Sequence, residues 1–266
     1  MDVIVASRLL AFVGLFLIFA GLEAVFPRTR RQFSRWVRWR TNGLMVVLGA
    51  LGTRLLVFLA VPATGVLAAL AAQEAGWGVF NVWDVPFLVA VVLSLVVLDL
   101  VIYTQHVIFH KVPLLWRFHR MHHADAELDA STALRFHPVE IVISMLIKAA
   151  AVLLLGAPLL AVVLFEIILN GVAMFNHANL QLPRGLEKVL RLFVVTPVFH
   201  EIHHGTQRAD HDRNFAFNLT WWDYLFRTYR QDPEAGRATF RIGLETVPAQ
   251  KSTQTRASLL LPFRRL

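Results

Sequence analysis

The 266-residue sequence contains no cysteine. Disulfides, thiolate zinc sites, Cys-ligated iron–sulfur clusters and thiol nucleophiles are thereby excluded, while the redox compartment stays open. Charge is also scarce: 17% of residues are ionic against 56% hydrophobic, with a mean hydropathy of +0.56. That balance belongs to a membrane protein rather than a soluble one. Lysine is nearly missing, with 4 against 22 arginines, so the net charge of +8 is an arginine charge. Beside long apolar runs, such a charge fits anionic lipid headgroups and no nucleic acid. Arginine-for-lysine usage with much Ala, Leu and Val is that of a GC-rich bacterial genome. No Gly-x-Gly-x-x-Gly and no P-loop occurs, so no dinucleotide site is evident. There is no internal repeat or low-complexity linker, and residues 1–266 read as one membrane domain.

Four apolar stretches are present, at 9–27, 43–72, 86–108 and 139–176. About 20 apolar residues cross the hydrocarbon core, so each of the first three predicts one spanning helix. The first lacks a clean cleavage site and reads as a retained helix. A straight helix over 139–176 would be roughly 57 Å long, too long for one crossing. Gly156-Ala157-Pro158 breaks it, which predicts a short helical hairpin that returns the chain to its starting side. Loop 28–40 carries six arginines, loop 73–85 carries no Lys or Arg, and Lys111, Arg117 and Arg120 follow the third helix. By the positive-inside rule the N-terminus is outside. The expected architecture is therefore an all-α integral membrane fold of three spanning helices plus a short helical hairpin. Segments 106–138 and 177–230 form a cytoplasmic, histidine-rich metal-binding cap, followed by a tail over 231–266. The expected location is a bacterial inner membrane. Trp36, Trp39, Trp221 and Trp222 are placed in the interfacial belt.

All eleven histidines lie between 106 and 211. His106 and His110 are four apart; His119, His122 and His123 follow an i, i+3, i+4 pattern, and His200, His203 and His204 repeat it. Such spacings put the rings of each set on one helix face. A lone histidine is usually structural, but eight in three sets at apolar-helix ends would repel as cations and ligate as neutral rings. They exceed what one metal uses, so two metals close together is the economical reading. Imidazole by itself does not choose among iron, zinc, copper and nickel. His137, His177 and His211 are single. Asp99 lies two helical turns before His106, and a carboxylate inside a membrane helix needs a partner. The expectation is that it accepts from a ligand imidazole N–H, with Glu140 and Glu166 as further candidates for that role; pairing with Arg54 or with a backbone donor is the alternative. Arg54 and Lys148 are expected to snorkel or pair within the bundle.

HVIFH (106–110), HRMHH (119–123) and HEIHH (200–204) resemble the HxxxH, HxxHH and HxxHH boxes of the fatty acid hydroxylase superfamily, which includes sterol desaturases and C4-methyl sterol oxidases. The likeness extends through 99–140, 174–183 and 210–229, and covers roughly residues 90–230. It departs from the family pattern at Ala216 and Arg227, where glycine is usual. The resemblance implies an integral-membrane enzyme with two iron ions that uses O2 and two external electrons. Its reaction would be hydroxylation or desaturation of an unactivated C–H bond of a lipid such as a sterol, fatty acyl or isoprenoid lipid. The implied ligands are His106, His110, His119, His122, His123, His177, His200, His203 and His204, with His137 and His211 as further candidates. The implied partner is a ferredoxin or b5-type carrier with its reductase, for which loop 28–40 and residues 111–120 offer a basic face.

Two other classes stay open at this level. His200-Glu201-Ile202-His203-His204 satisfies HExxH, the motif of a zinc metalloprotease with Glu201 as general base. A bis-histidine haem electron carrier would also use facing imidazoles, though only a few of them.

Overall fold

The computed structural model describes residues 2–59 and 64–264. Among these the chain is all-helical, with isolated bridges and no strand. Five helices are long and apolar enough to cross a membrane: α1 (Asp2–Val25), α2 (Arg35–Phe58), α5 (Phe87–Lys111), α7 (Pro138–Leu155) and α8 (Leu159–His177). Between α2 and α5 lie α3 (Gly65–Ala75) and the single turn α4 (Val79–Val82); α6 (Pro113–His123) follows α5. The outer faces carry exposed Leu9, Leu10, Leu17, Leu88 and Val92, as a lipid-facing surface should.

Two expectations need correction. The apolar run 43–72 is not one helix: α2 ends at Phe58, and α3 starts at Gly65 with the Thr64 side chain accepting from Leu67 N. The helix α3 packs on α7 and α8 instead of continuing outward, through Val66, Ala68 and Ala69 against Ala149, Val152, Ala157, Val162 and Phe165. Small side chains let these backbones approach closely where lipid supplies no hydrophobic drive. The hairpin does break at Gly156-Ala157-Pro158, but it is not short. Its arms have 18 and 19 residues, about 27 Å each at 1.5 Å per residue.

Gly156 caps α7 in the left-handed region, φ 66°, with its N–H on Val152 and Leu153 carbonyls. Gly78, at φ 94°, lies directly against it: a Cβ built there would stand 2.0 Å from Gly156 N. No side chain fits that gap or readily adopts that φ. Gly78→Ala is therefore expected to destabilise the fold by about 3 kcal/mol, read as a lowered melting temperature in detergent. An unchanged melting temperature would contradict the close approach.

The opposite end of the bundle gathers all the histidines. Prolines set its geometry. Pro113 starts α6 directly after α5, Pro138 starts α7, and Pro197 starts α10 (Pro197–His203), each at a position where a missing N–H costs nothing. Short turns α9 (Arg184–Leu190), α11 (Arg208–His211) and α12 (Trp221–Leu225) complete this cap. The tail returns through α13 (Ala249–Ser252) and α14 (Thr255–Leu259) to pack under α6, where Leu261 joins Met45, Met121 and Ala124. Arg117 donates to the Pro262 carbonyl and Arg120 to that of Leu261.

The arginines of loop 28–40 do not form one free basic face. Arg28 pairs with Glu201, and Arg31 with Glu23 and Asp129. Arg38 is buried against Asp125 at 2.6 Å and Asp129 at 2.7 Å. Only Arg30, Arg35 and Arg40 have no carboxylate partner among the described residues.

Candidate metal centre

The helical spacing resolves into two clusters. His106, His110, His119, His123 and His203 each bring one ring nitrogen within 4.8 Å of the others; His122, His177, His200 and His204 do the same a few ångströms away. Each HxxHH box straddles the pair. On α6, His119 and His123 face the first cluster and His122 the second; on α10 and its cap, His203 faces the first and His200 and His204 the second. Residues four apart share a face, while the one at i+3 is turned aside by about 60°, the difference between three and four steps of 100° and a full turn. All nine rings are buried.

The hydrogen bonds decide which nitrogens are bare. His106 Nδ1 donates to the Phe215 carbonyl (2.7 Å), His203 Nδ1 to that of Arg213 (2.8 Å) and His177 Nδ1 to that of Ala173 (2.7 Å). A carbonyl only accepts, so these Nδ1 atoms carry the proton and the neutral rings have a lone pair at Nε2. Yet His106 Nε2 and His203 Nε2 stand 3.0 Å apart. The Nε2 of His177 stands 3.1 Å from those of His122 and His200 and 3.2 Å from that of His204. His119 Nδ1 meets Glu140 Oε1 at 2.7 Å, and its Nε2 is 3.1 Å from His106 Nε2. Burial, reinforced by neighbouring imidazoles, holds His122, His123, His200, His203 and His204 well below the ordinary imidazole range; burial takes His119 down to about 3. These rings are neutral near pH 7, so protons do not relieve the facing lone pairs.

A metal does. Donors 3.0–3.2 Å apart subtend about 90–100° at an ion lying about 2.1 Å from each nitrogen, an ordinary coordination angle. Seven further ring nitrogens, on His110, His122, His123, His200 and His204, are buried without a hydrogen-bond partner. The donor set is all imidazole, which suits iron, zinc or copper.

The supporting shell is less legible in sequence. Asp99 does not reach an imidazole, and it does not pair with Arg54. Its carboxylate accepts from Asn218 Nδ2 (2.8 Å), Leu219 N (3.2 Å) and Trp222 Nε1 (2.8 Å). Trp222, expected in the interfacial belt, is thus a hydrogen-bonded support for Asp99. Asp223 accepts from Phe215 N and Ala216 N at 2.9 and 2.8 Å, and burial raises its carboxyl to about 6. Together the two aspartates hold the loop whose carbonyls orient His106 and His203. Nothing in the composition singled out Asp223; the signal was its place in the segment 210–229. Glu166 lies away from the histidines, on Lys148 at 2.5 Å and on Arg8. His137 caps α7, accepting from Val139 N, and His211 stacks on Trp116; neither enters a cluster. Arg227 keeps the turn expected of glycine, at φ 59°, while Ala216 needs no such freedom.

The rival chemistries do not fit this geometry. Glu201 points to Arg28 and Arg237, not into either cluster, so HEIHH lacks its general base. Imidazole nitrogens 3.0–3.2 Å apart leave no room for a haem macrocycle between them.

The model of the family described as fatty acid hydroxylase matches residues 91–228. Ornithine lipid hydroxylase OlsE of Rhizobium tropici is 30% identical over 193 residues, covering 73% of this chain and 55% of its own length. Human alkylglycerol monooxygenase is 30% identical over 133 residues, 50% of this chain and 28% of its own length. Rat cholesterol 25-hydroxylase is 25% identical over 149 residues, covering 55% and 49%. The chain therefore spans about half or less of the length of these relatives. No solved structure matches it.

Proposed function

The chain belongs to the fatty acid hydroxylase family, and from that premise we propose that it is a membrane-bound di-iron oxygenase that hydroxylates an unactivated C–H bond of an amphipathic lipid. His106, His110, His119, His123 and His203 hold one iron; His122, His177, His200 and His204 hold the other. The observation that carries this reading is the pair of bare Nε2 atoms of His106 and His203 at 3.0 Å, each ring locked by a carbonyl behind it. When bound, the irons supply activation of O2, which with two external electrons and two protons turns R–H into R–OH and releases one water.

The rest is the work of this chain. Carbonyls of Ala173, Arg213 and Phe215 and the carboxylate of Glu140 orient four rings before any metal arrives, which favours ligation by reducing the ordering it requires. Burial of all nine rings keeps bulk water away. A cavity of about 450 Å³ runs from His106, His119 and Glu140 along α2, α5, α7 and α8 past Val46, Ile102, Met145 and Leu169. That volume suits part of a lipid, and it delivers one carbon to the histidine end.

The alternative outcome, desaturation, uses the same site and differs in the position of a second hydrogen. The relatives' names speak of ornithine lipid, alkylglycerol and cholesterol, which supports an amphiphile as substrate class. The histidine end is assigned to the cytoplasmic side of a bacterial inner membrane, with the N-terminus outside. Electrons come from a ferredoxin or b5-type carrier with its reductase, for which Arg30, Arg35 and Arg40 are the arginines of segment 28–40 left without a carboxylate partner among the described residues.

Detergent-purified protein from iron-replete cells is expected to hold close to two irons per chain, and expressing cells to accumulate a lipid heavier by one oxygen. A single zinc, or folded protein without metal, would overturn the reading. Glu140→Ala removes the acceptor behind His119 and is expected to weaken metal retention or activity by about 10- to 100-fold. Glu140→Gln should recover most of that loss, because its carbonyl oxygen still accepts from Nδ1. Equal behaviour of both variants would show that Glu140 does not act through His119.

A further inference from the structure

The cavity has a second polar end. Away from the histidines it is lined by Arg8, Arg54, Thr64, Lys148, Glu166 and Asn170. That is three cations against one carboxylate, set within the apolar length of the helices. Lys148 and Glu166 are buried at mid-helix, where charge is expensive and is kept where it binds something; Arg8 and Arg54 stand within two turns of the ends of α1 and α2. Part of it is structural: Glu166 takes Lys148 at 2.5 Å and also Arg8, which ties α1, α7 and α8 together. That network accounts for one positive charge only. Arg54 has no hydrogen bond or ion pair among the described residues.

The packing of α1 and α2 leaves a way in. The helix α1 lies along α8 and α2 along α7. They meet through Phe16 and Trp39, whose ring centroids are 5.1 Å apart, near the histidine end. Farther along, Arg8 on α1 and Arg54 on α2 both line the cavity and both reach the outer surface; the Arg8 side chain is 33% exposed. The two arginines therefore stand at a lateral mouth facing the bilayer.

We propose that this mouth is a headgroup site, in which Arg8 and Arg54 hold the anionic group of an amphipathic lipid, a phosphate or carboxylate, while its chain runs down the cavity to His106 and His119. Guanidinium groups bind such oxyanions through paired N–H donors, and the cavity wall between the two ends is mostly apolar, broken by Gln105 and Ser144, which hydrogen-bond to each other at 2.8 Å. From Glu140 to Lys148 the rise along α7 is about 12 Å. An extended chain of roughly ten carbons covers it, because a zigzag of bonds about 1.5 Å long advances about 1.25 Å per bond. The oxidised carbon should thus lie about that far from the anionic group. The proposal rests on the histidine end being the reacting end, but headgroup binding can be measured without any reaction.

The test is calorimetric titration of the metal-loaded protein in neutral detergent with dodecyl phosphate, dodecan-1-ol and dodecyltrimethylammonium. Dodecyl phosphate is expected to bind at least about tenfold more tightly than the alcohol, the ratio that a charge-assisted hydrogen bond supplies. Arg54→Gln should bring the two close to parity, and Arg54→Lys should keep the preference. His122→Ala should also keep it while losing turnover, so failure of the catalytic reading and failure of this one are separable. Equal affinity for the three headgroups in the unaltered protein would overturn the proposal. So would a preference that survives both Arg54→Gln and Arg8→Gln. Inorganic phosphate at the same concentration should not displace dodecyl phosphate; displacement would make the site one for the free anion and not for a lipid.

Discussion

Replacing His122 with alanine is expected to lower the metal content from about two per chain to about one and to abolish lipid hydroxylation. The second cluster has four imidazoles, His122, His177, His200 and His204, against five in the first. Removing one leaves three, and His177 Nε2 loses the neighbour that faces it at 3.1 Å. Loss of an outer hydrogen-bond partner alone costs about 10- to 100-fold in metal affinity or activity, so loss of a ligand should cost more than about a hundredfold. His122 lies between Phe136, stacked at 4.4 Å, and His177, so the truncation leaves a small void and not a broken helix. Membrane insertion and helix content should therefore persist. Metal analysis and product assay on the same purified sample check the two halves of this expectation. His211→Ala is the control, since that ring lies outside both clusters; it should retain both metals. Full activity in His122→Ala would sink the ligand assignment.

Arg38→Met should cost about 3–5 kcal/mol of stability, the usual cost of leaving buried charge without its partner. Arg38 donates to both oxygens of Asp125, at 2.6 and 3.0 Å, and through Nε to Asp129 at 2.7 Å. It also reaches the Glu127 carbonyl and the Thr132 hydroxyl. All three charged residues are buried. Asp129 in turn caps the 3-10 turn Ala130–Leu134, and Asp125 lies two residues past His123. The pair thus pins α2 to the exit of the second histidine box, and its loss should loosen the first histidine cluster as well. Thermal unfolding in detergent reads the change. Arg40→Met, on the exposed side of the same helix, should move stability by no more than about 0.5 kcal/mol. Equal effects of the two would show that Arg38 is not the buried member. Asp125→Asn combined with Asp129→Asn in the Arg38→Met background should recover part of the loss by removing the stranded charges.

Much of the site was legible because helical spacing is a local property. His119, His122 and His123 must share a helix flank wherever that helix lies, and so must His200, His203 and His204. What spacing leaves open is which ring joins which cluster, because that depends on how α6 and α10 are rotated against α5 and α8. Asp99 shows the limit. Its seven-residue offset from His106 puts the two on one face, yet its carboxylate is taken by Asn218, Leu219 and Trp222, residues about 120 positions away. Loop 28–40 shows it again. Six arginines in thirteen residues read as a basic face, and three of them turn inward to carboxylates. Likewise 43–72 is apolar throughout, but hydropathy does not tell a continued crossing from a helix that folds back onto its neighbours.

The sequence by itself pointed to the bilayer, the helical class and an all-imidazole donor set. Apolar length is enough to demand a bilayer, and the ordered spacing of the histidine boxes marks imidazoles as the donors for a metal. The tertiary structure alone decided the five-and-four division of the imidazoles, the protonated nitrogen on each oriented ring, and the charged far end of the cavity. These depend on contacts between residues distant in sequence, such as His106 with Phe215, Arg38 with Asp129 and Arg8 with Glu166. A local pattern fixes the direction of a side chain relative to its own helix, and only packing fixes what it meets.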